Sequence, residues 1–128
     1  FGEPYSSDKA IEALEAGKIV VFGSGLGVPF LSTDTAGAVR AAEIGADAML
    51  MAKNVDGLYT ADPKKDPNAK RYDDVTYAEI LEKDLKVMDS TAAALCRDNN
   101  IAIHVFGLSE EGNVMKAVCG EKIGTIVR

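Results

Sequence analysis

Tryptophan is absent, histidine occurs once, and only two cysteines are found among the 128 residues. A single histidine, His104, has no companion imidazole with which to build a metal cluster. Its place inside an apolar run reads as structural. Cys96 and Cys119 are too few for a disulfide framework and both fall in helical patterns, so buried free thiols in a reducing compartment are expected, with the cytoplasm as the expected location. Positive charge is scarce: 14 Lys and Arg face 20 Asp and Glu, for a net charge of −6. No basic stripe exists to follow a phosphate backbone, which excludes nucleic acid as a partner. Long hydrophobic runs are also missing. The longest, Ala48-Met49-Leu50-Met51-Ala52, is far below the roughly 20 residues that cross a bilayer, so no membrane partner is expected. The opening Phe1-Gly2-Glu3-Pro4 shows neither an initiator methionine nor the apolar core of a signal peptide; a processed protein, or one piece of a longer one, is the expectation.

What is present is the balance of an ordinary globular domain, with 47% hydrophobic and 27% charged residues. No repeat or low-complexity tract divides the chain, so residues 1–128 read as one domain. Residues 7–16 carry Ala10, Ile11 and Leu14 on one helical stripe, with Ser7 able to cap and Gly17 able to stop it. Ile19-Val20-Val21-Phe22 reads as a strand buried on both faces. A glycine-rich segment over 23–32 precedes a helix over 33–44, which Gly45 ends. Residues 48–52 read as a second buried strand, and 53–71 are turn-rich. Thr76-Tyr77-Ala78-Glu79 is a capping box. Asp89 or Ser90 opens an alanine-rich helix that stops at Asn99-Asn100. Residues 101–106 form a third strand, Ser109 caps a helix through Val118, and 125–127 make a last strand. Helices alternating with apolar strands predict an α/β fold, a three-layer α/β/α sandwich around a mainly parallel sheet. In such sheets ligands bind beyond the carboxyl ends of the strands, which points to the loops over 23–32 and 53–62.

The first loop suits an anion. Glycines after a strand let the backbone approach a ligand, and hydroxyls plus free amides at the next helix start suit phosphate. A tight strand-to-helix turn is the alternative. Val28 stands where a dinucleotide fingerprint needs glycine, and Gly-Lys-Ser/Thr occurs nowhere. Asp34, in the first turn of the following helix, is either a dipole complement or a carboxylate that holds a magnesium ion or a lysine beside a phosphate. In the second loop Tyr59 is placed to lie against a purine and Asp62 to accept a ribose hydroxyl, unless Asp56-Gly57 is merely a turn. Lys64, Lys65, Lys70 and Arg71 are diluted by Asp62, Asp66, Asp73 and Asp74 into a solvated loop.

Gly25-Leu26-Gly27-Val28-Pro29-Phe30-Leu31-Ser32-Thr33-Asp34 followed by Val55-Asp56-Gly57-Leu58-Tyr59-Thr60-Ala61-Asp62-Pro63 resembles the bacterial uridylate kinases (UMP kinases) of the amino acid kinase superfamily. Glu82-Lys83-Asp84-Leu85-Lys86-Val87-Met88-Asp89 and Gly120-Glu121-Lys122-Ile123-Gly124-Thr125 match as well. The resemblance covers the C-terminal, ATP-binding half of such an enzyme, and a missing N-terminal half would carry the catalytic lysine and a second glycine-rich loop. It implies transfer of the γ-phosphoryl group of ATP to UMP, giving UDP for pyrimidine nucleotide synthesis, with magnesium accompanying ATP. Leu26, Gly27, Val28, Pro29, Phe30, Leu31, Ser32 and Thr33 would contact UMP, and Asp34 would be catalytic. Lys53, Asn54, Tyr59 and Asp62 would contact ATP, and Asp89 would be a further acidic residue of the active centre. The intact protein would be a homohexamer, and this chain alone inactive. The family usually has a threonine and an asparagine where Leu26 and Val28 stand, which removes two polar groups from the nucleotide site. Another phosphotransferase of the superfamily, or a non-catalytic nucleotide- or oxyanion-binding or storage protein, is the alternative.

Overall fold

Among the described residues, four of the five helices start on a side chain that accepts a free amide of the first turn. In α1, Ser7–Glu15, the cap is Ser6, which accepts the Lys9 amide, and not Ser7. Ser32 caps α2, Thr33–Glu43, by accepting the Thr35 amide at 3.0 Å. Thr76 and Glu79 complete the predicted capping box of α3, Tyr77–Glu82. Asp89 caps α4, Ser90–Asp98. The exception is α5, Asn113–Val118, which follows a left-handed Gly112 at φ 84° with no side-chain cap. Ser109 therefore does not start that helix; a turn in which Asn113 N–H meets the Glu110 carbonyl intervenes.

The computed structural model describes residues 2–86 and 88–128; Phe1 and Val87, both part of sequence features noted above, lie outside the described residues. Strands β1 (Ala48–Lys53), β2 (Asp74–Val75), β3 (Ala102–Gly107) and β4 (Thr125–Val127) form one sheet in the order β1-β3-β4-β2. β1 runs parallel to β3 with Ala48 opposite Ala102, and β2 runs parallel to β4. Within this sheet, among the described residues, only β3 and β4 pair antiparallel. The sheet is thus mainly parallel, as expected, with β2 as a short strand that the sequence pattern did not announce.

Alternation along β3 sorts the layers. Ile103 and Val105 join Met51, Val75 and Val127 from the other strands and Ala38, Ala41, Ile80, Ala92 and Cys96 from α2, α3 and α4 in one buried cluster. Phe106, of opposite parity, is buried outside that cluster, and α5 packs on β3 separately. Gly124 makes the closure between α5 and β4 possible: its φ is 67°, and a Cβ there would strike the Val105 carbonyl and Phe106. His104 faces the Ile123 carbonyl through Nε2 at 2.5 Å, a structural role.

Three further sequence expectations are corrected. Residues 19–22 are not a strand; Ile19 is 94% and Val21 89% exposed. An apolar run of this kind needs a partner on each side, and among the described residues β1 pairs only with β3. A groove of about 430 Å³, lined by Phe22, Gly37, Ala48 and Met49 among others, lies beside β1. Consequently β1 is an edge strand with Met51 as its one buried residue, not the buried strand the run suggested. Cys96 is buried, which pushes its thiol pKa up, whereas Cys119 is exposed. Among the described residues no helix is long and apolar enough to cross a membrane.

Candidate functional site

The loop over 23–32 is built from left-handed backbone. Ser24, Gly25, Gly27 and Phe30 have φ of 62°, 60°, 69° and 69°. Two of these are glycines, which take that conformation without a Cβ clash; Ser24 and Phe30 take it with one. The resulting curl encloses an open cavity of about 460 Å³. Leu26, Gly27, Val28, Pro29, Leu31, Ser32 and Thr33 line it, so the structure brings together seven of the eight residues singled out for the acceptor. Phe30 is the exception. Its side chain is fully exposed and is not part of the lining.

The cavity opens onto the start of α2. Helix geometry leaves the first amides without intrahelical partners, and the axial dipole adds partial positive charge there. Ser32 takes up the Thr35 amide, and the Ala36 amide begins the helical ladder on the Ser32 carbonyl. The amides of Thr33 and Asp34 remain at the helix tip, an arrangement suited to a phosphate.

Asp34 meets a lysine from this chain. Its Oδ2 lies 3.0 Å from Nζ of Lys53, and the two side chains are 25% and 27% exposed. Lys53 is the last residue of β1, at the carboxyl end of a parallel strand, where the topology places ligand sites. The pair therefore joins the end of the first loop to the beginning of the second. A half-buried pair of this kind is less screened than a surface one.

The second loop is braced by itself. Tyr59 O–H donates to Asp56 at 2.9 Å, and Arg71 Nη1 reaches the same carboxylate at 3.2 Å. The Asp56 carboxylate, through that bond, holds the Tyr59 phenol above its ordinary pKa. Thr60 N–H bonds to the Lys70 carbonyl and Tyr72 N–H to that of Leu58. Buried Thr125 of β4 locks the base: its hydroxyl accepts from Leu58 N–H at 2.9 Å and donates to the Tyr72 carbonyl at 2.5 Å. Asp62 accepts the Lys64 amide at 3.0 Å and stands 3.9 Å from Lys65. Asn54 is exposed.

Asp89 is drawn into the first loop. Its carboxylate accepts the Ala92 amide at 2.8 Å, the Thr35 hydroxyl at 3.0 Å and the Ser32 hydroxyl. Partial burial pushes this carboxyl upward, but the bonds from Ser32, Ala92 and Thr35 outweigh burial and hold it below the usual aspartate value. A second brace was not foreseen. Arg40 Nη2 lies 3.5 Å from the Gly25 carbonyl, while its guanidinium sits 3.4 Å from the Tyr5 ring centroid and Nη1 reaches Glu43 at 2.7 Å. Tyr5 O–H also donates to Glu43, at 2.5 Å. The Arg40–Glu43 spacing was visible in the sequence; Tyr5 carried no signal.

Residues 3–107 match the profile of the amino acid kinase family. The chain belongs to the amino acid kinase family. Solved structures of the same fold include UMP kinase from Bacillus anthracis, 41% identical with a TM-score of 0.93, which covers 98% of this chain and 52% of its own. UMP kinase from Ureaplasma parvum is 40% identical with a TM-score of 0.89, over 96% of this chain and 53% of its own. Uridylate kinase from Archaeoglobus fulgidus is 36% identical with a TM-score of 0.76, over 98% and 59%. The chain thus spans about half the length of these members of the amino acid kinase family. Among the described residues no group of three His, Cys, Asp or Glu is placed to hold a metal ion. Magnesium is commonly held by one or two carboxylates together with substrate phosphates. Asp34, paired with Lys53 at the seam of the two loops, would be one such carboxylate for a magnesium that entered with a nucleotide.

Proposed function

We propose that this chain is the nucleotide-binding part of a UMP kinase, a phosphotransferase that moves the γ-phosphoryl group of ATP to UMP to form UDP. The observation that carries the reading is the Asp34–Lys53 pair at the seam between the two loops. The likeness to three UMP kinase structures supports it. The amides of Thr33 and Asp34 hold the UMP phosphate at the tip of α2. Leu26, Gly27, Val28, Pro29 and Leu31 wall the rest of the acceptor, with Leu26 and Val28 supplying apolar surface. Tyr59, its hydroxyl anchored on Asp56, presents a ring to adenine. Asn54 and Asp62 complete the ATP contacts.

Phosphoryl transfer needs positioning and charge stabilisation more than covalent chemistry. Asp34 and a phosphate are both anionic and repel unless a cation lies between them. Lys53 is that cation: Asp34 fixes the ammonium group, and the ammonium group faces the phosphate oxygens. Magnesium, entering with ATP and with Asp34 as the nearby carboxylate, would offset the charge of the phosphates. The reading includes an N-terminal half with a further lysine and glycine-rich loop, a homohexameric assembly and a cytoplasmic location. The 128-residue chain alone forms UDP at well under about 1 per second, an ordinary enzyme rate.

The test is reconstitution with the N-terminal half of the Bacillus anthracis relative, followed by steady-state assays of UDP formation. Activity is expected to appear on mixing, and Asp34→Asn to lower kcat roughly 10²–10³-fold, the scale of removing one preorganised charge. Thermal stability should change by no more than about 1 kcal/mol, because Ser32 and not Asp34 caps α2 and the variant loses one part-exposed ion pair and one dipole complement. Near-normal kcat in Asp34→Asn, or binding of UMP and ATP without turnover, overturns the reading.

A further inference from the structure

The starts of α2 and α4 meet on one side chain. Asp89 is the N-cap of α4, and its two oxygens also receive the hydroxyls of Ser32, the N-cap of α2, and of Thr35 in the first turn of α2. A carboxylate offers about four lone-pair directions, and these donors together with the Ala92 amide take up most of them. The Ser32 hydroxyl is equally committed, since it donates to Asp89 and accepts the Thr35 amide. Behind this junction α2 and α4 pack through small residues, with Ala38, Ala92 and Cys96 fully buried. Close packing of this kind leaves no slack for one helix to slide past the other. The segment that leaves α2 in the N-terminal direction is the lining of the acceptor cavity, including Ser32 and Thr33 themselves.

We infer that Asp89 is a positioning residue: it sets the first turn of α2 against α4 and so fixes the acceptor cavity, and neither its carboxylate nor the Ser32 hydroxyl meets substrate or metal. The inference rests on the proposed phosphotransfer reading for its kinetic arm only. It moves two residues singled out in the sequence, Asp89 and the side chain of Ser32, from contact with reactants to the frame that holds them. Thr33 and Asp34, one and two residues beyond Ser32, keep the contact.

Two measurements test it. In the 128-residue chain, hydrogen exchange is followed at single amides in wild type, Asp89→Ala and Asp89→Asn. Asp89→Ala is expected to speed exchange at Thr35 and Ala36 about tenfold or more, the scale of losing a hydrogen bond to a charged group, with α5 unchanged. Acceleration at Ala92 alone would leave Asp89 as a cap of α4 only and overturn the inference. In the reconstituted enzyme, Asp89→Asn is expected to raise KM for UMP about tenfold while kcat and KM for ATP move less than about threefold. Ser32→Ala, which removes the same strut from the other side, is expected to do the same. A fall in kcat of roughly 100-fold at unchanged KM would make Asp89 part of the reacting centre, and equal shifts in both KM values would make it a general structural residue; either overturns the inference. If the reconstituted enzyme forms no UDP, the proposed function fails while the exchange result still decides the clamp.

Discussion

The two loops beyond the sheet are held in opposite ways. The loop over 54–71 is closed mainly by its own bonds, Tyr59–Asp56–Arg71 and the Thr60–Lys70 pairing, over a base that Thr125 of β4 locks. The loop over 23–32 has no such internal ladder among the described residues. It is pinned from outside, by Asp89 at one end and by Arg40 at Gly25. Its apolar residues are largely in solvent: Val28 is 56% and Phe30 103% exposed. A self-braced loop is preorganised before a ligand arrives. An externally pinned one is fixed at its anchors, here by Asp89 at Ser32 and by Arg40 at Gly25, and the stretch between them adjusts to what fills it.

The largest break in the comparison is Thr125→Val. It leaves the buried Leu58 N–H and the half-buried Tyr72 C=O without that hydroxyl, which costs about 1–3 kcal/mol. A thermal melt should fall on the order of 10 °C, and exchange at Leu58 and Tyr72 should accelerate. An unchanged melt would mean that Thr125 does not brace the second loop. Next in size is an acid effect on the first loop. The Asp89 pKa is depressed in the fold, so the stabilisation is present above the unfolded value near 4 and is lost as pH falls through the folded value. Urea unfolding of wild type should therefore weaken below about pH 4, and Asp89→Asn should flatten that part of the profile. A parallel profile in the variant would remove Asp89 as the source.

Arg71→Met is smaller. Arg71 and Asp56 are 35% and 51% exposed at the side chain, and exposed pairs contribute below about 1 kcal/mol. Stability should hold while ATP affinity, read by calorimetry in the reconstituted enzyme, weakens a few-fold through looser placement of Tyr59. The smallest effect belongs to Phe30→Gly. The side chain touches solvent only and φ is 69°, so relief of left-handed strain and the extra freedom of glycine in the unfolded chain offset to within about 1 kcal/mol. A large loss of stability would show that Phe30 is packed in solution and would erase the contrast between the loops.

Legibility followed distance along the chain. The capping box at Thr76–Glu79 is a three-residue affair and was readable as written. So were the stops at Gly17, Gly45 and Asn100, all with positive φ. The Ser32–Asp89 bond spans 57 residues, and no local pattern distinguishes an aspartate that caps one helix from one that also holds a second. Lys53 was placed near ATP from its motif, but its pairing with Asp34 needed β1 and α2 to be set side by side. At 19–22 the pattern stated that Ile19 and Val21 are built for burial without stating what buries them.

By itself, the sequence determined the starts of α2, α3 and α4, the positions of the two loops and the resemblance to UMP kinases, because each rests on near neighbours or on a local motif. Only the tertiary structure decided the strand order β1-β3-β4-β2, the reversal at β4, the edge position of β1 and the carboxylate shared by two helices. Those features depend on which distant surfaces meet. That choice is made by packing against the whole core, where a side chain's partner is set by space and not by spacing.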